Sequence, residues 1–348
     1  MQHFSARYVL VDRFGRPLEN LRITVTPQCN FNCVFCHGEG EPPNNALLSA
    51  SEIVEVASVA HSLGVGTFKL TGGEPLLRKD LERIVAGLKS FGRGVEVSLT
   101  TNGFFLEKRV PSLVEAGLDR VNVSLHAFDP EVFEGVTRVK GFEKVLRGLE
   151  AASEYGLPVK LNFVLTKLNA GQLGEVLDYA SRKGFNVNLI ELIPTGKGGA
   201  VFDELYVPVE NVLPQLEGMA RKVYTRPLQS RPVFELETGI KVEVIANYCN
   251  PAFCSMCTKL RLTHDGKLKP CLNRNDNLVD LTPILRDEGG DKLERLREAF
   301  LIANSRREPF FRFNGEKVTS FNGRIVCPVR RVTLLSNARG PRREALPR

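Results

Sequence analysis

Cys29, Cys33 and Cys36 lie within eight residues, spaced C-x3-C-x2-C, so three thiolates can converge on one small object. Three thiolates are one short of the tetrahedral set that a structural zinc site takes. A cubane [4Fe–4S] held by three cysteines keeps one iron open to a ligand from solution, and catalysis needs such an opening. A zinc loop completed by His37 is the competing reading; His37 adjoins Cys36 and does not easily turn back to the same metal. A second group follows far downstream. Cys254-x-x-Cys257 and Cys271 are brought together by a hairpin whose turn signal is Asp265-Gly266. On spacing alone it is either another three-thiolate site or, with Cys249, a four-ligand zinc knuckle. Cys327 stands apart.

The rest of the composition narrows the chemistry. The chain has 348 residues, with 47 Lys and Arg against 40 Asp and Glu. That excess of +7 favours an anionic ligand such as a nucleotide or polyphosphate, but it is too diffuse for a nucleic-acid footprint. No apolar run reaches the roughly 18 residues of a spanning helix. The opening MQHFSARYVLVDRFG has no signal-peptide core. A cytoplasmic protein is expected, with no membrane and no nucleic-acid partner, and its cysteines are read as metal ligands rather than disulfides.

These residues need a scaffold. Segments 21–26, 67–70, 95–101, 120–126, 159–165 and 186–192 read as strands, and 49–64, 80–92, 108–117, 141–156 and 170–184 as helices. Ser49 with Glu52 forms a capping-box signature, and most helices end at glycine. Strand-then-helix repetition predicts an α/β barrel, partial or complete, or a long open sheet, with ligands at the C-terminal strand ends. Residues 193–200 read as a loop, 213–222 as a short helix, 234–247 and 259–272 as hairpins, and 291–305 as a helix. Thr71-Gly72-Gly73-Glu74-Pro75 ends the second strand; its two glycines allow a backbone to approach a ligand closely, or make a tight turn.

CNFNCVFC and TGGEP together resemble the signatures of the radical S-adenosylmethionine superfamily. The resemblance implies that Cys29, Cys33 and Cys36 hold a [4Fe–4S] cluster whose open iron chelates S-adenosylmethionine. Phe35 takes the aromatic position beside the adenine, the backbone at Gly73 meets the methionine amino group, and Ser124 and Ile193 lie near the adenosyl moiety. FCSMCTKLRLTHDGKLKPCL, residues 253–272, resembles the GTP 3′,8-cyclase family of molybdenum cofactor biosynthesis, of archaeal type. That likeness runs over roughly residues 20–310 and implies a second [4Fe–4S] on Cys254, Cys257 and Cys271, whose open iron faces guanine. It implies GTP contacts from Arg22, Lys69, Thr100, Lys160, Lys259 and Arg261.

The family's fold is a partial (β/α)6 TIM-type barrel with a C-terminal α+β module carrying the second iron–sulfur cluster. The expected divisions are an N-terminal extension at 1–20, the barrel at 21–199, the auxiliary-cluster and substrate module at 200–310, and an atypical tail at 311–348. The implied activity is that of a radical lyase: a 5′-deoxyadenosyl radical takes hydrogen from C3′ of GTP, the C3′ radical attacks C8, and one-electron reduction and protonation of the resulting aminyl radical gives (8S)-3′,8-cyclo-7,8-dihydroguanosine 5′-triphosphate. The implied partners are a ferredoxin- or flavodoxin-type electron donor and the downstream cyclic pyranopterin monophosphate synthase; a homodimer is compatible. The alternative is a radical enzyme with one auxiliary cluster acting on a peptide or other non-nucleotide substrate. Departures from the family pattern are Thr67 and Asn188 at frequently basic positions, Ile193 for methionine, and ARGPRREALPR where relatives commonly end in Gly-Gly.

Overall fold

The computed structural model describes residues 9–42, 44–287 and 289–311; the expectations for the tail, Cys327 and the first eight residues lie outside these. Six parallel strands, β1 (Asn20–Thr24), β2 (Thr67–Thr71), β3 (Glu96–Thr101), β4 (Arg120–Ser124), β5 (Val159–Leu165) and β6 (Asn186–Glu191), run in chain order. The helices between them are α1 (Ala50–Ser62), α2 (Leu81–Lys89), α3 (Leu106–Glu115), α4 (Pro130–Thr137), α5 (Phe142–Glu154) and α6 (Leu173–Lys183). Ser49 and Glu52 form the expected capping box at α1. α4 was not anticipated; Asp129 caps it, accepting from the backbone of Glu131 and Val132, and Pro130 opens it.

Two readings of the downstream chain are corrected. Residues 193–200 are not wholly loop, because α7 (Lys197–Leu205) begins there. Gly196, at φ 60°, lies where a Cβ would come 2.8 Å from the carbonyl oxygens of Cys36 and His37. Its glycine therefore serves the packing of a helix start against the first cysteine loop. The helix expected over 213–222 stops early: α8 (Leu213–Met219) gives way to β7 (Ala220–Arg226), which pairs antiparallel with β8 (Arg231–Leu236). Ladder hydrogen bonds here override local helix preference.

The hairpin β8–β9 (Lys241–Ile245) forms around Gly239 as expected, and so does β10 (Lys259–Leu262) with β11 (Lys267–Lys269) around Gly266. After α9 (Pro251–Ser255) and β12 (Val279–Asp280), α10 (Thr282–Leu285) and α11 (Lys292–Ser305) follow. One placement exceeds the local pattern. β9 joins the edge of β6 and β10 the edge of β1, both parallel, so the order is β12-β11-β10-β1-β2-β3-β4-β5-β6-β9-β8-β7.

Alternation along these strands sorts side chains between two environments. Leu21, Ile23, Phe68, Leu70, Val97, Leu99, Val121, Val123, Leu161 and Phe163 are fully buried in the apolar core. At about 1.5–3 kcal/mol for each such side chain, this outer layer anchors the sheet. The opposite face carries Arg22, Lys69, Asn122, Lys160, Asn188 and Arg261, which line a cavity of about 730 Å³. The barrel interior is therefore a polar chamber and not a packed core.

Candidate active site

The first cysteine loop leaves the C-terminal end of β1. Gly73 donates its N–H to Thr26 O at 2.8 Å and Glu74 donates to Gln28 O at 2.7 Å, binding the TGGEP segment to that loop. A Cβ on Gly73 would collide with Gln28 O and lie 2.7 Å from Pro27 O, so the close approach demands glycine. The Glu74 carboxyl is fully buried and accepts from Thr101 Oγ1, Asn102 N and Leu76 N. Burial pushes it up to about 7 despite those donors. Glu74 thus braces the β2 and β3 ends.

Cys29, Cys33 and Cys36 are free thiols lining the cavity. Burial first, then the neighbouring thiols, pushes Cys33 up to about 12, and burial raises Cys29 as well. The Phe31 N–H points to Cys29 Sγ at 3.4 Å and Asn102 Nδ2 approaches it at 4.0 Å. Such donors on sulfur suit a thiolate that carries iron. His37 is otherwise engaged, since its Nδ1 accepts from Glu39 N at 2.9 Å. Phe35 meets His126 edge to face at 4.7 Å, and burial pushes His126 down to about 3, so the ring is neutral. Gly73, Thr100, Ser124 and Ile193 line the same cavity.

Cys254, Cys257 and Cys271, also free thiols, reach it from the N-terminal end of β10, which pairs parallel with β1, so the two triads lie at opposite ends of neighbouring strands. Burial pushes Cys254 up to about 11 and raises Cys271, whereas Cys257 is lowered: burial opposes ionisation, but Lys259 and other donors outweigh it. Arg16 donates to Cys254 O at 2.9 Å and Arg307 to Cys257 O, with buried Asp12 paired to both guanidinium groups. The expectation of metal ligands and not disulfides is corrected at Cys249, which is buried and disulfide-bonded and so takes no part in a four-thiolate knuckle. Among the described residues no group of three or more His, Cys, Asp or Glu is arranged to hold a single metal ion. Three free thiols from one short loop, Cys29, Cys33 and Cys36, are the donor set that a [4Fe–4S] cluster with one open iron takes.

Between the triads lies a field of cations. Register places Arg261 beside Arg22, Arg22 beside Lys69, and Asn122 beside Lys160. Arg22 is pushed down to about 10 by burial, and Lys69 falls well below its ordinary value by burial and by Arg120, Arg22, Lys160 and Arg231 around it. Lys69 has no anionic partner among the described residues. Glu39 receives Arg261 and Thr71 and lies 3.8 Å from Arg22, while Glu243 receives Lys160 at 2.8 Å, Arg231 at 2.8 Å and Arg226 at 3.1 Å. Even so, buried atoms facing this space lack partners: Arg22 Nε, Arg231 Nε, Asn188 Oδ1, Asn247 Oδ1 and Asn277 Oδ1. The two arginine N–H groups call for an acceptor and the three amide oxygens for a donor, as a polar ligand carrying both would supply.

Sequence reading missed Arg120, Arg226, Arg231, Glu243, Gln229 and Glu39, all of which line the cavity. The alternation of polar and apolar residues in RPVFEL and KVEVI was the available signal, but which face was internal depends on β9 joining β6.

Comparison with known proteins fits this geometry. The Radical SAM superfamily model matches residues 23–180 and the Molybdenum Cofactor Synthesis C model matches residues 185–313. Streptococcus suis SuiB shares the fold at TM-score 0.54 and 15% identity, covering 79% of this chain and 67% of that one. Native anSMEcpe with bound AdoMet does so at TM-score 0.51 and 17% identity, covering 79% of each chain. Fold and first cysteine motif define a radical S-adenosylmethionine enzyme, with one site for that cofactor and its [4Fe–4S] cluster.

A protein named "Probable GTP 3′,8-cyclase" from Saccharolobus islandicus (strain M.14.25 / Kamchatka #1) is 46% identical over 308 residues, 87% of this chain and 99% of that protein. One of the same name from Sulfurisphaera tokodaii is 45% identical over 311 residues, 88% and 98% respectively. The chain belongs to the GTP 3′,8-cyclase family. No helix among the described residues is long and apolar enough to cross a membrane.

Proposed function

We propose that this protein is a GTP 3′,8-cyclase, forming (8S)-3′,8-cyclo-7,8-dihydroguanosine 5′-triphosphate in the first step of molybdopterin biosynthesis, for molybdenum or tungsten. The observation that carries this reading is the cation-lined chamber with a free-thiol triad at each side. When bound, the first cluster and S-adenosylmethionine supply the one-electron chemistry that yields a 5′-deoxyadenosyl radical.

The chain's own residues bind, orient and exclude water. Cys29, Cys33 and Cys36 would hold the first cluster; Phe35, Gly73, Ser124 and Ile193 would seat the cofactor, with His126 fixing the Phe35 ring. Arg22, Lys69, Lys259 and Arg261 would take the triphosphate, and Thr100 would hydrogen-bond the nucleotide. Lys160 joins them only while sharing Glu243 with two arginines. Fixing the ribose in register with the cofactor turns hydrogen abstraction into a step between pre-positioned groups. A second [4Fe–4S] on Cys254, Cys257 and Cys271 belongs to this proposal, as do the ferredoxin- or flavodoxin-type donor and the cyclic pyranopterin monophosphate synthase downstream.

The test is anaerobic reconstitution followed by incubation with GTP, S-adenosylmethionine and dithionite. Chromatography with mass spectrometry should find 5′-deoxyadenosine together with an isomer of GTP. Formation of 5′-deoxyadenosine with GTP returned unchanged overturns the substrate assignment.

A further inference from the structure

Between β7 and β8 the backbone does something costly. Gln229 and Ser230 both adopt positive φ, 57° and 47°, a conformation that disfavours side chains other than glycine's. Strain of that kind persists only where the surroundings enforce it. Gln229 is 5% exposed, lines the cavity, and its N–H donates to Met256 O at 3.0 Å, inside the Cys254–Cys257 turn.

Its side chain has three partners. Oε1 accepts from Lys259 Nζ at 2.8 Å and from Arg231, and Nε2 points to Cys257 Sγ at 3.7 Å. The orientation of the amide is settled by chemistry: lysine and arginine offer only donors, so the oxygen must face them and the N–H2 must face sulfur. One amide thereby joins two phosphate-side cations to a thiol of the second triad.

We propose that Gln229 is a positioning residue which fixes Lys259 and Arg231 toward the nucleotide and donates a hydrogen bond to Cys257, tuning the reduction potential of the second cluster. This rests on the reading that Cys254, Cys257 and Cys271 hold a [4Fe–4S]. A donor on a ligating sulfur stabilises the reduced, more negative cluster and so raises its potential. Arg231 gives the proposal its ligand side: it is 8% exposed, is held by Glu243 and Gln229, and keeps Nε unpartnered.

Two variants separate the contacts. Gln229→Gly removes the side chain at a backbone conformation that glycine adopts freely, so the fold should survive. Gln229→Glu keeps acceptors for Lys259 and Arg231 but cannot donate to sulfur when ionised. Both are made in full-length protein carrying Cys29→Ala, Cys33→Ala and Cys36→Ala, so that electron paramagnetic resonance reports the second cluster alone. Unchanged iron content with a midpoint potential shifted negative in both variants is expected, further in Gln229→Glu because a negative charge replaces the donor. An unchanged potential in either variant, with iron retained, overturns the proposal. If the triple-alanine protein itself holds no four-iron cluster, the reading of the second triad fails, and that result is distinct from the first.

Discussion

Lys69 carries the least compensated charge described in the chamber. Its ammonium is surrounded by Arg22, Arg120, Lys160 and Arg231 and has no carboxylate of its own among the described residues, while Arg22 and Arg261 share Glu39 and Lys160 shares Glu243. Such a group is held at a cost that an incoming triphosphate offsets. Lys69→Ala should therefore weaken GTP by about 10- to 100-fold, the worth of a charge-assisted hydrogen bond of roughly 1.5–3 kcal/mol, and leave guanosine nearly unaffected. Calorimetric titration of both ligands checks it; equal losses would show that Lys69 does not face phosphate. Individual residues such as this one were legible in the sequence because they flank motifs. Arg231 and Glu243 were not, since nothing near either in the chain marks them, and their meeting requires two antiparallel strands docked beside β6.

At the scale of elements, the TGGEP turn and the first cysteine loop behave as one unit. The loop cannot recede from Gly73, because Gly73 N and Glu74 N are bonded to its carbonyls and Val25 N is bonded back to Thr71 O. Gly73→Ala should force that backbone apart at about 1–3 kcal/mol, the usual cost of overpacking. The displaced loop carries Cys29, so the iron bound at the first triad, about four atoms per chain, should be lost while the far-ultraviolet spectrum stays unchanged. Full iron loading with normal cleavage of S-adenosylmethionine would show that the loop tolerates the methyl group. The six barrel strands and five of the six helices between them were readable from periodicity, to within a few residues at each end, whereas α4 was not. α7 was not, because glycines that serve close packing at Gly196 look the same in sequence as glycines that serve a loop.

The molecule as a whole is one continuous sheet with the chamber on its inner face, and its edges explain why sequence divisions understate its unity. Residues 21–199 supply β1 through β6, yet β1 and β6 are not edge strands: β10 covers one and β9 the other, in register over Asn20–Ile23 and Val187–Ile190. The core follows suit, with Val242, Val244, Leu260 and Leu262 fully buried in the same cluster as Leu21, Ile23, Val187 and Leu189. Cutting the chain at residue 199 would expose two long rows of unpaired backbone groups and the apolar residues beneath them. It would also leave the partly buried Lys160 without Glu243, its carboxylate partner at 2.8 Å. A fragment of residues 1–199 should therefore be insoluble or bind hydrophobic dyes, and its solubility should rise when residues 200–348 are co-expressed as a separate chain. Cooperative unfolding of a soluble 1–199 fragment, measured by circular dichroism, would show that the barrel stands alone; the expected failure follows from β9 and β10 being the strands that complete both the sheet and the cation chamber.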